Sequence, residues 1–152
     1  MAEPQNSALS DTVSPAKRSA IMRAVKSKDT GPERALRRAL HKAGRRYRLH
    51  DKRLPGAPDL VFPSKRKVIF VHGCFWHGHD CRRGARVPKT NRDYWLAKID
   101  RNRTRDARRL FELEALGWDA LIIWECELKD LETAVRAAQA FLDAPLQAGR
   151  KP

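Results

Sequence analysis

The eleven residues Val71-His72-Gly73-Cys74-Phe75-Trp76-His77-Gly78-His79-Asp80-Cys81 hold three of the chain's five histidines and two of its three cysteines. So tight a group of soft ligands constrains the fold more than any other feature of the sequence. Cys74, His79 and Cys81 offer three ligands at short spacing. Cys126, in Trp124-Glu125-Cys126, is the one cysteine left to complete a tetrahedral zinc site. His72 and His77 are then surplus, and Phe75 and Trp76 are put forward by the same tight loop. Surplus imidazoles beside a stacking surface are the raw material of an active site. A purely structural zinc knot, with the aromatics as its small core, accounts for the ligands equally well.

The length of 152 residues suits one domain with a real core. Thirty-two Lys and Arg against 18 Asp and Glu give a formal charge of +14, more than solubility requires, and nucleic acid is the leading partner. The bases are interleaved with acids and no strongly hydrophobic helix face accompanies them, which argues against a membrane surface. The apolar runs Val68 to Val71 and Leu121 to Trp124 are too short to span a bilayer. Met1 to Ser10 lacks the pattern of a signal peptide, so a cytoplasmic protein is expected, nucleoid-associated when acting on DNA. An odd cysteine count argues for metal binding in a reducing compartment rather than for disulfides.

Residues 1–14 read as a flexible arm, 15–143 as the folded domain and 144–152 as a disordered tail. A helix is expected from Pro15 to Val25. A second starts with Thr30 as cap and Glu33 three residues on, carries Leu36, Leu40 and Ala43 as its stripe, and stops at Gly44. Strands are expected over Tyr47–His50, Asp59–Phe62 and Lys67–His72, the last with an unbroken Val-Ile-Phe-Val that suggests burial on both faces. Thr90 can cap a long helix reaching Leu116 and ended by Gly117; Trp118–Trp124 is a fourth strand and Lys129–Leu142 a last helix. The sum is an α/β domain with a mixed central sheet flanked by helices. On the long helix Arg101, Arg105, Arg108 and Arg109 follow i, i+4, i+7, i+8 spacing and share a face. That suits phosphate contacts, although a solvated face with weak pairs to Asp100, Asp106 and Glu112 is the ordinary alternative.

Pro58-Asp59 opens the second strand after a loop that fixes where the carboxylate points. The neighbouring strand can bring the Val71 carbonyl and His72 close to it, and a hard divalent cation takes such oxygen ligands together with waters and a phosphate oxygen.

Taken together, Leu54-Pro55-Gly56-Ala57-Pro58-Asp59, Val68 through His77, Trp95-Leu96-Ala97-Lys98-Ile99 and Leu116-Gly117-Trp118 through Trp124-Glu125-Cys126 resemble the very-short-patch-repair (Vsr) DNA mismatch endonucleases. The resemblance runs from about Ala16 to Leu128, and its Gly-Cys-Phe-Trp-His string is highly specific. It implies a restriction-endonuclease-like fold and a nick 5′ of the thymine in a T:G mismatch left by deaminated 5-methylcytosine. It makes Asp59 the magnesium-binding carboxylate, with the Val71 carbonyl a further ligand. His77 and His72 become the histidines that work on water and phosphate, either of them the general base. Glu33 helps hold the waters of the metal. Cys74, His79, Cys81 and Cys126 become the zinc ligands, and Phe75, Trp76 and Trp95 the rings that wedge into DNA. The expected partner is double-stranded DNA with a T:G mismatch, met by a monomer, with mismatch-repair proteins as further candidates. Val71 stands where a threonine is expected in relatives, and Gly78 and Asp80 where others can carry histidine. The catalytic lysine of ordinary restriction-type motifs is absent. The rival readings are a catalytically silent, zinc-containing DNA-binding module and a basic RNA-binding protein of ribosomal type.

Overall fold

The computed structural model describes residues 30–82 and 84–148. The arm over 1–14, the helix expected at Pro15–Val25 and the end of the tail, 149–152, lie outside the described residues.

Helix α1 spans Gly31–Lys42. The Thr30 hydroxyl accepts from the Glu33 N–H at 3.3 Å, so half of the expected capping box is formed. The Glu33 side chain does not complete the box. It is buried on the stripe of Leu36 and Leu40. Ala43, expected to extend that stripe, is instead the exposed C-cap. The stripe is thus displaced one turn toward the N-terminus, and it ends in a carboxylate.

Strand β1 is only Arg48–Leu49, since His50 adopts a left-handed backbone at φ 47° that breaks the extended run. Strand β2 is Leu60–Phe62, and a 3₁₀ turn over Pro63–Lys65 leads to β3, Lys67–His72. A long helix, α2, spans Arg92–Ala115, and β4, Asp119–Trp124, follows. Thr90 does not cap α2. Its N-cap is Asn91 at φ 57°, with no side-chain cap bond. Glu125–Lys129 form a 3₁₀ turn, and α3, Leu131–Asp143, begins two residues later than expected because the Asp130 carboxylate caps it through the Thr133 N–H at 3.2 Å.

The sheet is ordered β1-β2-β3-β4, antiparallel between its first three strands and parallel between β3 and β4. The parallel pair needs a crossover, and α2 provides it. Side chains alternate across β3. Ile69 shares a cluster with Leu36, Leu40, Ala134, Ala138 and Leu142 of the α1 and α3 layer and with Ile123 of β4, whereas Val68 and Phe70 pack with Leu113 of α2. Helices on both faces therefore explain the unbroken apolar run. His72, two residues beyond Phe70, follows it onto the α2 side, with its ring 5.6 Å from that of Phe70.

The segment after α3 is tied down rather than loose. Lys67, almost fully buried, donates to the carbonyls of Phe141 and Ala144, both at 2.5 Å, where a cation complements the helix C-terminus. The Asp119 carboxylate accepts from the Gln147 and Ala148 N–H groups at 2.8 and 2.6 Å. Among the described residues no helix is long and apolar enough to cross a membrane.

Candidate functional site

The loop after β3 closes tightly. His77 N–H donates to the Gly73 carbonyl at 3.2 Å and His79 N–H to that of Cys74 at 2.9 Å. Gly78, at φ 64°, lies on α2 so closely that a Cβ there would stand 2.7 Å from Ile99 Cγ2 and Arg103 Cδ; only glycine allows this approach. The Asn102 amide donates to the Trp76 carbonyl at 2.8 Å, a second tie from α2 to the loop.

On one side of the loop the structure brings together Cys74, His79, Cys81 and Cys126, each offering a ligand atom within 4.8 Å of the others. No disulfide links the cysteines. Cys126 Sγ lies 3.6 Å from His79 Nδ1, and bond lengths of about 2.3 Å to sulfur and 2.0 Å to nitrogen put tetrahedral ligands roughly 3.5 Å apart. Two sulfurs accept backbone N–H groups, Cys74 from Cys126 at 3.4 Å and Cys81 from Gly84 at 3.3 Å. Such bonds favour thiolates. Burial first, with the neighbouring Cys81 and Cys126 adding to it, pushes the Cys74 thiol up to about 12, and burial with Cys81 and Glu127 raises that of Cys126, so a cation among them favours the thiolates. The donor set fits a closed zinc site. His79 is further held by stacking on Trp124, with ring centroids 4.1 Å apart.

On the other side lies a cleft of about 480 Å³ lined by residues that include Asp59, Val71, His72, His77, Arg105 and Arg109. The Asp59 carboxylate enters it from the start of β2. One oxygen accepts from the Val71 N–H at 2.7 Å and the other faces His50 Nδ1 at 3.5 Å. Burial pushes Asp59 up to about 7, with the charge of Glu33 adding to the rise and the Val71 N–H opposing it. Glu33 reaches the same point from α1, and its carboxylate is 3.0 Å from His50 Nε2 and 3.2 Å from Arg37 Nη1. Glu33, His50 and Asp59 place their ligand atoms within 4.8 Å of one another. With Val71 lining the same cleft, this donor set suits a hard divalent cation.

His72 and His77 are stacked, centroids 3.7 Å apart and planes within 7°. Burial first, then the neighbouring His77, holds His72 down to about 4, so it stays neutral at pH 7. Its Nδ1 is buried without a hydrogen-bond partner among the described residues, an atom that a ligand or water must satisfy. His77 Nδ1 meets Asp106 Oδ2 at 2.5 Å. Burial works to raise the Asp106 carboxyl, but the bond to His77 and the charges of His77, His72 and Arg105 outweigh it and hold the group below its ordinary value.

Every residue that the sequence nominated for catalysis or metal binding thus falls in one of two adjoining clusters, with the aromatics beside them. Phe75, Trp76 and Trp95 form a half-buried trio of edge-to-face contacts, centroids 5.1 to 6.0 Å apart, outside both hydrophobic cores. Tyr94, 54% exposed, extends the row at 5.0 Å from Trp95.

Sequence reasoning missed two residues. Asp106, which read as a partner in weak surface pairs, braces His77. The arginine face is also rotated from its expected position: Arg105 and Arg109 line the cleft, whereas Arg101 and Arg108 are exposed. At 100° per residue the face turned to the cleft centres between Asp106 and Arg109. An acid at i, i+3, i+4, i+7 register with Asn102, Arg105 and Arg109 was the available signal. His50 carried no signal in its spacing, because its position depends on the left-handed bend after β1.

The family model described as DNA mismatch endonuclease Vsr matches residues 10–83. The chain is 51% identical over 135 residues to the Type II nicking enzyme V.XorIIP of Xanthomonas oryzae pv. oryzae, covering 89% of this chain and 98% of that protein. It is 45% identical over 122 residues to the Type II nicking enzyme V.NmeAIP of Neisseria meningitidis, covering 80% and 86%. With the DNA mismatch endonuclease Vsr of Escherichia coli it shares 44% identity over 124 residues, covering 82% and 79%.

Proposed function

The chain belongs to the Vsr family of DNA mismatch endonucleases, and from that membership we propose that it is a magnesium-dependent, strand-specific enzyme that nicks duplex DNA 5′ of the thymine in a T:G mismatch. Such mismatches arise when 5-methylcytosine deaminates, and the nick opens very short patch repair. The observation that carries this reading is the convergence, in one cleft, of the Asp59 carboxylate, the stacked His72 and His77, and Arg105 and Arg109. A catalytically silent module has no use for a braced histidine facing a metal-type carboxylate. The family is one of endonucleases, and the silent alternative is not retained.

Asp59 and the Val71 carbonyl would hold magnesium, with Glu33 holding waters around it. When bound, magnesium supplies Lewis acidity and neutralises charge that grows on the phosphate. His77 takes the proton of the attacking water. Its Nδ1 is engaged by Asp106, which fixes the ring and its tautomer and leaves Nε2 as the accepting nitrogen. His72, neutral and buried, directs a polar atom at the phosphate or its water. Arg105 and Arg109 hold the phosphate in line, positioning that carries much of the catalysis in such reactions. Cys74, His79, Cys81 and Cys126 would hold zinc, and a set of four protein donors suits a structural role in which the metal fixes the loop.

Phe75, Trp76 and Trp95 enter the duplex at the mismatch. A wobble pair unstacks and deforms more readily than a matched pair, so the wedge costs less there, and selectivity follows. The position of these rings outside both cores supports this use. The sheet with helices on both faces is read as restriction-endonuclease-like, and the enzyme as a monomer acting on DNA in the cytoplasm, with mismatch-repair proteins as further partners.

The test is nicking of a T:G duplex with Mg²⁺ by the wild type and by Asp59→Asn. The wild type should give one nick in the thymine strand. The variant should lose at least a hundredfold in rate while binding the duplex; near-wild-type nicking would overturn the site.

A further inference from the structure

Three histidine rings meet one indole. Trp124 ends β4 in register with His72 at the end of β3, and the two side chains follow Ile122 and Phe70 onto the α2 side of the sheet. There the Trp124 ring lies flat on His79, centroids 4.1 Å apart and planes within 11°. The same ring stands steeply to both stacked histidines, at 5.3 Å and 75° to His72 and at 6.4 Å and 68° to His77. His79 belongs to the zinc-type cluster, and His72 and His77 line the cleft. One side chain therefore packs on a donor of the first centre and on the histidine pair of the second. Cys126, two residues further along, is another donor of the zinc-type cluster, so the end of β4 serves both.

Packing matters more for His72 than for His77. The Asp106 carboxylate engages Nδ1 of His77 and sets that ring. His72 Nδ1 has no hydrogen-bond partner among the described residues, so the rings around it do most to hold its angle: Phe70 at 5.6 Å, His77 at 3.7 Å and Trp124 at 5.3 Å. Of these three, among the described residues, Trp124 alone also stacks on His79. We propose that Trp124 is a positioning residue that couples the two centres, holding His79 for the zinc with its face and holding His72, and through it the stacked His77, at the angle that nicking needs. The zinc-type cluster then supports the cleft through a side chain as well as through the loop backbone, where Gly78 at φ 64° separates His77 from His79. Displacing reacting groups by about 1 Å can cost on the order of 100-fold in rate, so a small tilt of His72 is visible in turnover.

This role rests on the reading that His72 and His77 act on the water and the phosphate, and His77→Ala tests that reading by itself. Trp124→Leu keeps an apolar side chain without a flat ring, whereas Trp124→Phe keeps a ring on the same Cβ. Two quantities are measured on each full-length protein. One is the rate at which zinc passes to a chelator in the absence of DNA; the other, with zinc at full occupancy, is kcat and KM for nicking a T:G duplex with Mg²⁺. Trp124→Leu should release zinc about tenfold faster or more and lose about tenfold or more in kcat, with KM unchanged. Trp124→Phe should recover most of both losses. Faster zinc release with full kcat would make Trp124 a support of the zinc ligand alone, and a lost kcat with normal zinc release would leave the two centres unlinked; either result overturns the coupling. A change confined to KM would place Trp124 on the DNA-facing surface and overturn it as well. If His77→Ala nicks at the wild-type rate, the reading of the histidines has failed instead. Should Trp124→Leu not fold, Trp124→Met, flexible enough to fill the same space, takes its place against Trp124→Phe with the same outcomes.

Discussion

Asp59→Asn should inactivate the protein and, in magnesium-free buffer, stabilise it. Burial and the nearby Glu33 push the Asp59 carboxyl from its ordinary 3.8 up to about 7. An acid raised in the folded state favours folding while protonated; the benefit is complete below the unfolded value and is lost as pH rises through the folded one. At about 1.4 kcal/mol per pH unit across that interval, ionised Asp59 above pH 7 sets on the order of 4 kcal/mol against the fold. Only 13% of the side chain is exposed, so solvent screening removes little of this. Asparagine cannot ionise and keeps a carbonyl oxygen to accept from the Val71 N–H. For a chain of this size the variant should melt on the order of 10 °C above the wild type at pH 8. At pH 5 the gap should shrink to about half or less. The assay is a series of thermal melts from pH 5 to 8 on zinc-loaded protein, without chelator. Added Mg²⁺ should then raise only the wild type. Equal melting at pH 8, or a less stable variant there, would refute the argument that the carboxylate is held ionised at a cost for the sake of a cation.

Cys126→Ser should lose the bound zinc and melt well below the wild type, because the site ties the loop after β3 to the end of β4; full zinc by elemental analysis would remove Cys126 from the set. Asp106→Asn should lower the nicking rate at least about a hundredfold with duplex affinity kept, since it unbraces His77. A near-normal rate would return Asp106 to the surface pairs it resembles in sequence. Trp76→Ala should fold, hold zinc and bind DNA with a steep salt dependence, yet lose most of its preference for T:G over C:G in competition binding. A loss of roughly 3 to 5 kcal/mol in stability would instead mark Trp76 as a core residue.

The parts of this molecule legible in sequence are those fixed by local pattern. Val68 to Val71 read as a strand covered on both faces because α1 and α3 take one face and α2 the other. Gly44 and Gly117, at φ 92° and 88°, follow α1 and α2 where a helix stop was expected. The four zinc-type ligands were legible because soft donors at close spacing have few other uses. What the sequence concealed depends on rotation and on long-range contact. Asp106 sits among arginines, and only the phase of α2 against the loop shows that it faces His77 rather than water. Ala43 fits the helical period of Leu36 and Leu40 but falls at the C-cap, so Glu33 takes the buried position at the other end. His50 comes to lie beside Glu33 and Asp59 only because the backbone bends at one residue. The polar stretch after α3 looks loose, yet Lys67 and Asp119, which anchor Ala144, Gln147 and Ala148, lie on other strands.

The central claim, that this cleft cuts one strand of a mismatched duplex, is tested most directly with three duplexes identical except for T:G, C:G or T:A at one position, each end-labelled on either strand. With Mg²⁺ the account predicts a single nick immediately 5′ of the mismatched thymine, in that strand only, with little cutting of the matched duplexes and none without the metal. Equal cutting of all three, breaks in both strands, or no dependence on Mg²⁺ would contradict it.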